Sequence, residues 1–444
     1  MAFQQGLSGL GASAKQLDVI SNNVANATTV GFKSGQTHFA DVFAASLNGA
    51  GASQIGVGVS VAAIAQQFTQ GNISTTNNPL DIGINGGGFF RMENSSGSFS
   101  YTRSGQFHLD KEGYVVNDQT AKLTGYPVDA VTGVVIPSAP GPIKLSADDI
   151  KPIATGAGTG SLQGVQAKVN LDSRLAATTW VTDPNPGIVA PETTGAWSPN
   201  VGTYNFSTPG SVYDTLGNPH NLVLYYSKTA NTGEWEVHAN VDGTSDANVT
   251  LTPAVPLLQF NKWGVLDPNV VDNGKINVSI NLDQVMTDLG KPNNAVAPLA
   301  FDLDMAGSSQ YGEASANNGF NQDGSAAGHL TGMSVAADGI VKGNYSNGQS
   351  LSLAQVVLAN FANPNGLLSL GNNQWQDTAT SGPELVGAPN SGRLGVLQSA
   401  SVEESNVDLT AELVAMITAQ RSYQANAQSI KTQDQIMQTL VNLR

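Results

Sequence analysis

The sequence predicts a multidomain fold, with long N- and C-terminal α-helices forming a coiled-coil-like assembly domain and all-β middle domains nested between them. Phe3, Leu7, Leu10, Ala14, Leu17, Ser21 and Val24 fall at steps of four and three, which line one helical seam. Leu409, Leu413, Met416, Gln420, Tyr423, Ala427, Ile430, Asp434, Met437 and Val441 repeat that spacing. Between these stripes, 49 glycines and frequent Asn, Ser and Thr mark many turns and short strands. A single amphipathic helix cannot bury its own stripe, so each seam needs a partner.

The first helix spans about 3–26 within an assembly segment 1–30, and it runs through Gly6, Gly9 and Gly11. Each glycine costs roughly 0.5–1 kcal/mol in a helix interior. So short a helix is marginal alone in water. It is expected to fray in an isolated monomer and to order against a partner. The stretch Thr28-Thr29-Val30-Gly31 ends it.

Residues 31–75 read as an extended, flexible connector, because 47–60 are rich in Gly, Ala and Ser. An inner, discontinuous β-domain follows over 76–145 and 300–398. Within it, residues 81–90 read as a strand, a glycine turn and an aromatic strand start. Short strands then fall at 99–103, 106–109, 113–116 and 355–361. An outer β-domain covers 146–299. There, residues 221–226 and 234–241 flank a turn containing Gly233, and apolar and polar residues alternate strictly over 276–282. The C-terminal assembly helix occupies 399–444 and starts near Ser405 and Asp408, which stand in capping-box spacing. Glu403, Glu404, Asp408 and Glu412 are placed at its N-terminal end, where the macrodipole favours anions.

The formal net charge is −15, and the 19 basic residues form no run. That argues against a nucleic-acid partner, which calls for clustered Lys and Arg. The absence of cysteine excludes disulfides, thiolate zinc sites and cysteine nucleophiles. No apolar run approaches the roughly 18 residues of a membrane span, so no membrane insertion is expected. Met-Ala-Phe-Gln-Gln-Gly has no basic n-region and does not read as an ordinary secretory signal.

Catalytic and ligand motifs are weak. The glycine runs 83–88 and 156–160 lack a Gly-Lys-Ser/Thr ending and read as turns. His38, His108, His220, His238 and His329 are widely spaced, with no His-Glu-x-x-His pattern. Asp302, Asp304, Gly307 and Glu313 take positions 1, 3, 6 and 12 of a calcium loop, but position 5 is Ala306, and a polar turn is the simpler reading. The pair Glu403-Glu404 reads as helix-start and surface charge rather than as an acid/base pair. No catalytic residue, cofactor or metal is assigned.

The block Ser21-Asn22-Asn23-Val24-Ala25-Asn26-Ala27-Thr28-Thr29-Val30-Gly31-Phe32-Lys33-Ser34 closely resembles the signature of bacterial flagellar rod and hook proteins. The resemblance continues through 78–90, 101–110, 125–126, 345–349, 355–366, 399–410 and 419–426. The large insert favours the hook branch over the rod branch, and 145–300 carry no recognised motif. The resemblance implies a subunit that self-polymerises into a flexible tube joining motor to filament, with torque carried by an inner layer of terminal helices. It also implies a position outside the cell and export through the flagellar type III apparatus without a cleaved signal. The implied partners are further copies of the chain and the flagellar rod, hook cap and hook–filament junction proteins.

On this reading, Phe3, Leu7, Leu10, Ala14, Leu17, Val24, Leu409, Leu413, Met416, Tyr423, Ala427, Ile430, Met437 and Val441 pack in the assembly. Asn22, Asn23, Ala25, Asn26, Thr28, Gly31, Phe32 and Lys33 position the passage from helix to outer domains, where the plain alternative is a helix end and a turn. An intramolecular helical hairpin is the plain alternative for the stripes. Two other functions stand beside the hook: a straight, distal-rod-like axial protein, and a surface- or glycan-binding β-protein with a helical oligomerisation stalk.

Overall fold

Strand alternation and helical periodicity sort the chain into two units. The computed structural model describes residues 2–42, 56, 58–129, 133–145, 149–158, 162–181, 199, 202–270 and 272–442. The first unit comprises Met1–Ala147, Gly332–Asn344 and Ser350–Arg444, and the second Asp148–Thr331 and Tyr345–Gln349. Three helices occur among the described residues: α1 (Ala2–Ala25), the short α2 (Leu282–Asp288) and α3 (Leu409–Asn442).

In the second unit, two sheets share one apolar core. The first runs 249–252, 275–280, 299–304, 165–172 and 309–311, with 316–322 also on 165–172. The other is a meander of Phe206–Tyr213, Pro219–Lys228, Glu234–Val241 and Leu257–Gln259. Ile276, Val278 and Ile280 point inward, as their alternation requires. They meet Leu222, Leu224 and Trp235 of the meander in one cluster. Leu282, the end of the alternating run, instead starts α2, because Asn281 caps that helix by accepting from the Gln284 amide.

Hydrogen bonding moves the domain boundary away from the sequence-derived one. Residues 300–322 were assigned to the inner domain, yet Lys275–Ile280 pairs with Leu299–Asp304, and Val165–Asp172 with Ala316–Gln322. The calcium-loop segment is part of this sheet. Asp302 and Asp304 lie on one strand, where the Asp302 carboxylate accepts from the Asn277 amide group at 2.9 Å.

The glycine run at 156–160, described as far as 158, wraps a carboxylate of its own chain. Asp323 accepts from the backbone amides of Gly156, Gly158 and Gly164 at 2.8, 3.0 and 2.9 Å.

In the first unit, Phe89–Glu93 pairs with Phe99–Thr102, Lys122–Pro127 and Leu358–Asn360. Neighbouring residues Phe89 and Phe90 face opposite sides and enter separate cores. Phe89 joins Tyr101, Phe361 and Trp375, whereas Phe90 joins Met92, Leu123, Val356 and Leu358. Residues 31–75, expected as a flexible connector, instead form a paired hairpin of Gly35–Val42 on Gly58–Gln66, although 43–55 and 57 lie outside the described residues. The hairpin docks on α1: Gln5 donates to the Gly56 carbonyl at 2.6 Å, and the Ser8 hydroxyl accepts from the Val59 amide at 3.3 Å.

The chain then returns on itself. Val396–Ser399 pairs antiparallel with Ile82–Asn85, and Ser401–Glu403 with Ile73–Thr75. That return delivers α3 beside α1. Asp408 caps α3, accepting from the Thr410 and Ala411 amides at 2.8 and 3.2 Å. The expected capping box does not form, because Ser405 bonds only the Val407 amide.

Asp323→Ala leaves three amides without their charged acceptor. It is expected to lower the second unit's stability by about 2–3 kcal/mol, with Asp323→Asn less severe. Urea unfolding followed through the buried Trp235 measures both.

Candidate assembly site

The Asn-Asn-Val-Ala-Asn block and the segment leading into α3 meet in a polar clasp. Lys33 closes the N-terminal motif, yet its side chain is fully buried. Its ammonium donates to Glu403 Oε1 at 2.6 Å and to the Thr69 carbonyl at 2.7 Å. Glu403 is 0% exposed and also accepts from the Gly71 amide at 2.9 Å. Its second oxygen takes Arg103 Nη1 at 3.0 Å, while Arg103 Nη2 donates to the Gly86 carbonyl. Two buried cations thus share one buried carboxylate. Burial lowers the Lys33 pKa, although Glu403 acts to raise it.

Neutral groups extend the clasp in both directions. Asn23 accepts from the Gly35 amide and donates to the Gly35 carbonyl and to Glu412 Oε1. Asn406 accepts from the Ser34 amide and donates to the Gln67 carbonyl at 2.7 Å. The Gly31 amide donates to the Glu403 carbonyl at 2.8 Å. Gly31 has φ +71°, and a Cβ there would lie 2.5 Å from the Ser104 nitrogen, so no other residue fits without a shift.

Of the remaining motif residues, Asn26 donates back to the Asn22 carbonyl and side chain, and Phe32 is half-buried. Ala25 and Thr28 are exposed. Reading Glu403 as surface charge at a helix start is therefore corrected: it is a buried strand residue, whereas Glu404 is exposed. Arg103, Asn406 and Glu412 were not singled out as functional. The one available signal for Glu403 was its place beside Val402 in the family block.

The helix contact brings two glycines of α1 against Asn426 and the seam residue Ile430 of α3. A Cβ at Gly6 would lie 3.0 Å from Ile430 Cγ1, and one at Gly9 would lie 2.9 Å from Asn426 Nδ2. Small residues thus let the two backbones approach. Beside this contact, Gln5, Gly9, Ala12, Ser13, Ser422 and Asn426 line an open cleft of about 440 Å³.

The expected seam residues divide between exposed and half-buried positions in the single chain. Phe3 and Leu7 are 51% and 55% exposed, and Leu409, Leu413, Tyr423 and Met437 are exposed as well. Leu10, Ala14, Leu17, Val24, Met416, Ala427 and Ile430 are half-buried. The Val441 side chain lies outside the described residues. Val414 and Ile417 extend the exposed apolar surface of α3.

Glu403→Gln leaves two buried cations without an anion. It is expected to cost about 3–5 kcal/mol, read by denaturant unfolding at the buried Trp375. Lys33→Met keeps the Arg103 pair and should cost far less. Equal losses would contradict a shared carboxylate.

Four family descriptions match along the chain. Residues 3–33 match "Flagella basal body rod protein", and 83–153 match "Flagellar hook protein FlgE/F/G D1 domain". Residues 170–325 match "Flagellar basal body protein FlaE D2 domain", and 398–443 match "Flagellar basal body rod FlgEFG protein C-terminal". The flagellar hook protein FlgE of Salmonella typhimurium (strain LT2) is 42% identical over 446 residues, with 100% of both chains covered. That of Escherichia coli (strain K12) is 40% identical, again over 100% of both chains. That of Borreliella burgdorferi is 30% identical, covering 100% of this chain and 99% of the relative. With the terminal blocks and both β-units matched along the whole length, this chain belongs to the flagellar hook protein family.

Proposed function

We propose that the chain is the structural subunit that polymerises with copies of itself into the bacterial flagellar hook, a flexible tubular joint outside the cell that passes torque from rod to filament. The observation that carries this reading is the full-length relation to hook proteins, covering the terminal segments and the large insert alike. The physical counterpart is the uncovered apolar surface of α1 and α3. Phe3, Leu7, Leu409, Leu413, Val414, Ile417 and Met437 all stand exposed in the single chain. Apolar area removed from water is worth about 25 cal/mol per Å².

Neighbouring subunits cover that surface, in coiled-coil-like contacts that form the tube's inner wall. The half-buried seam residues, from Leu10 to Ile430, tighten in the same packing. The clasp built on Asn23, Gly31 and Lys33 holds the two helices at a fixed origin. The second unit meets its counterparts on other subunits in a few alternative packings as the tube bends. The remaining partners are the rod, the hook cap, the hook–filament junction and the export apparatus.

A Leu413→Glu, Ile417→Glu double variant should keep the monomer's melting temperature, because both side chains are exposed. Its threshold concentration for forming tubes in kosmotropic salt should rise at least about tenfold, roughly 1.4 kcal/mol per subunit. Normal tubes at the unaltered threshold would remove this face from assembly. A chain lacking 408–444 should keep folded β-units and form no tubes by electron microscopy. Substitutions on the second unit's surface should alter tube curvature or stiffness more than the polymerisation threshold, and unchanged curvature across a broad set would count against the outer role.

A further inference from the structure

One cluster of titratable groups lies apart from the clasp, at one end of the second unit's meander. His220 opens the strand Pro219–Lys228, where it pairs with Val212, and it is 2% exposed. Its Nδ1 lies 2.7 Å from Asp242 Oδ2, and its Nε2 lies 3.6 Å from Asp214 Oδ2. Nε2 has no hydrogen-bond partner among the described residues, and its 3.6 Å to Asp214 is ion-pair range rather than hydrogen-bond range.

Each carboxylate also holds a turn. Asp214 Oδ1 accepts from the Leu216 and Asn218 amides, both at 2.8 Å, and its Oδ2 accepts from the Asn218 side chain. Asp242 has φ +52° and accepts from the Asn221 amide at 2.7 Å. The charged groups facing the ring are Asp242, past the end of Glu234–Val241, and Asp214, past the end of Phe206–Tyr213. Asn218 and Asn221 beside them are neutral.

The geometry suits only one protonation state. A neutral imidazole donates from one nitrogen and presents a lone pair on the other. With a carboxylate oxygen on each side, either tautomer points that lone pair at an anion. The imidazolium donates to Asp242 and turns its second N–H, and its positive charge, toward Asp214. We propose that His220 is an imidazolium clasp, a pH-operated device that ties the turn 214–218 to the turn at Asp242 and releases them when it loses its proton.

Protonation energetics agree in sign. Burial acts against the charge, but the hydrogen bond and charge of Asp242, and then those of Asp214, outweigh it and raise the His220 pKa above 6.5. A group whose pKa is raised on folding stabilises fully below its unfolded value, about 6.5, and that contribution fades as pH climbs through the folded value. Once the ring is neutral, Asp214 remains as a buried anion, 1% exposed, without its cation. The turn that carries exposed Leu216 is then the cheapest element to open.

The test uses the full chain as a monomer and does not depend on its forming tubes. Four of its five tryptophans, Trp180, Trp197, Trp235 and Trp263, lie in the second unit's sequence, so fluorescence melting reports chiefly on that unit. Between pH 6.5 and 9.5 the native chain should lose at least ~2 °C more of its melting temperature than His220→Asn loses. Equal slopes overturn the proposal.

Should that variant not fold, mass-spectrometric exchange of the histidine C2 hydrogen follows His220 in the native chain directly. A midpoint above 6.5 that falls in Asp214→Asn supports the clasp. A midpoint at or below 6.5, or one that the variant leaves unmoved, overturns it.

Discussion

A carboxylate sealed from water must find positive charge, and Glu403 finds two cations from distant parts of the chain. Lys33 lies near the end of the N-terminal motif and Arg103 just past the strand Phe99–Thr102, so one anion ties both to the segment that leads into α3. Buried ion pairs are weak stabilisers, because desolvation consumes most of the Coulomb gain. What they penalise is every alternative arrangement, since any misplacement strands a charge in the interior. The antiparallel return of 396–403 along 73–85 can thus be registered at one position only. The two helices leave the β-region side by side as a consequence, and Asn23, bonded to both Gly35 and Glu412, carries the same restraint onto the first turn of α3.

The helices answer two different demands. Within the chain, α1 meets α3 through Gly6 and Gly9, which sacrifice helix propensity for close approach. Its bulky residues, Phe3 and Leu7, are left outside that contact, as are Leu413, Val414 and Ile417 of α3. A monomer gains nothing from this arrangement. A subunit of a polymer does, because the larger side chains bury more area where copies meet. The glycines therefore do not weaken a coiled coil within the chain. They let two helices lie close enough to present one composite surface.

Much of the fold was legible in local pattern, and the failures share a cause. Ile276, Val278 and Ile280 alternate and are buried in alternation, and the periodic segments at both ends are helices. The domain boundary was misplaced because 299–322 pairs with 165–172, a partner over a hundred residues away that leaves no local trace. The pairing of Gly35–Val42 with Gly58–Gln66 was hidden because the sequence between them is rich in small residues, a composition that resembles a linker's. The seams were legible as stripes, but the glycines that admit Ile430 and Asn426 were not, since periodicity marks the larger apolar residues. Glu403 was misread because an acidic pair before a helix is usually solvated, and only the pairing of Ser401–Glu403 with Ile73–Thr75 shows which of the two turns inward.

A bending tube must be stiff in some bonds and compliant in others, and the chemistry of this chain divides along that line. Inside each unit, order rests on directional contacts: strand ladders, the Asp323 carboxylate in its ring of amides, and the shared Glu403 carboxylate. Displacing any of these by an ångström breaks several directional hydrogen bonds at once, each worth on the order of 1 kcal/mol. The surface proposed to meet neighbours is of another kind. Leu413, Ile417 and Met437 offer dispersion and apolar burial, which depend on area more than on angle, and methionine adapts its shape readily. Contacts of that type can shift between packings at nearly constant buried area. The compliance of the assembled hook then belongs to the contacts between subunits, and the clasp is what keeps it from spreading into the subunit itself.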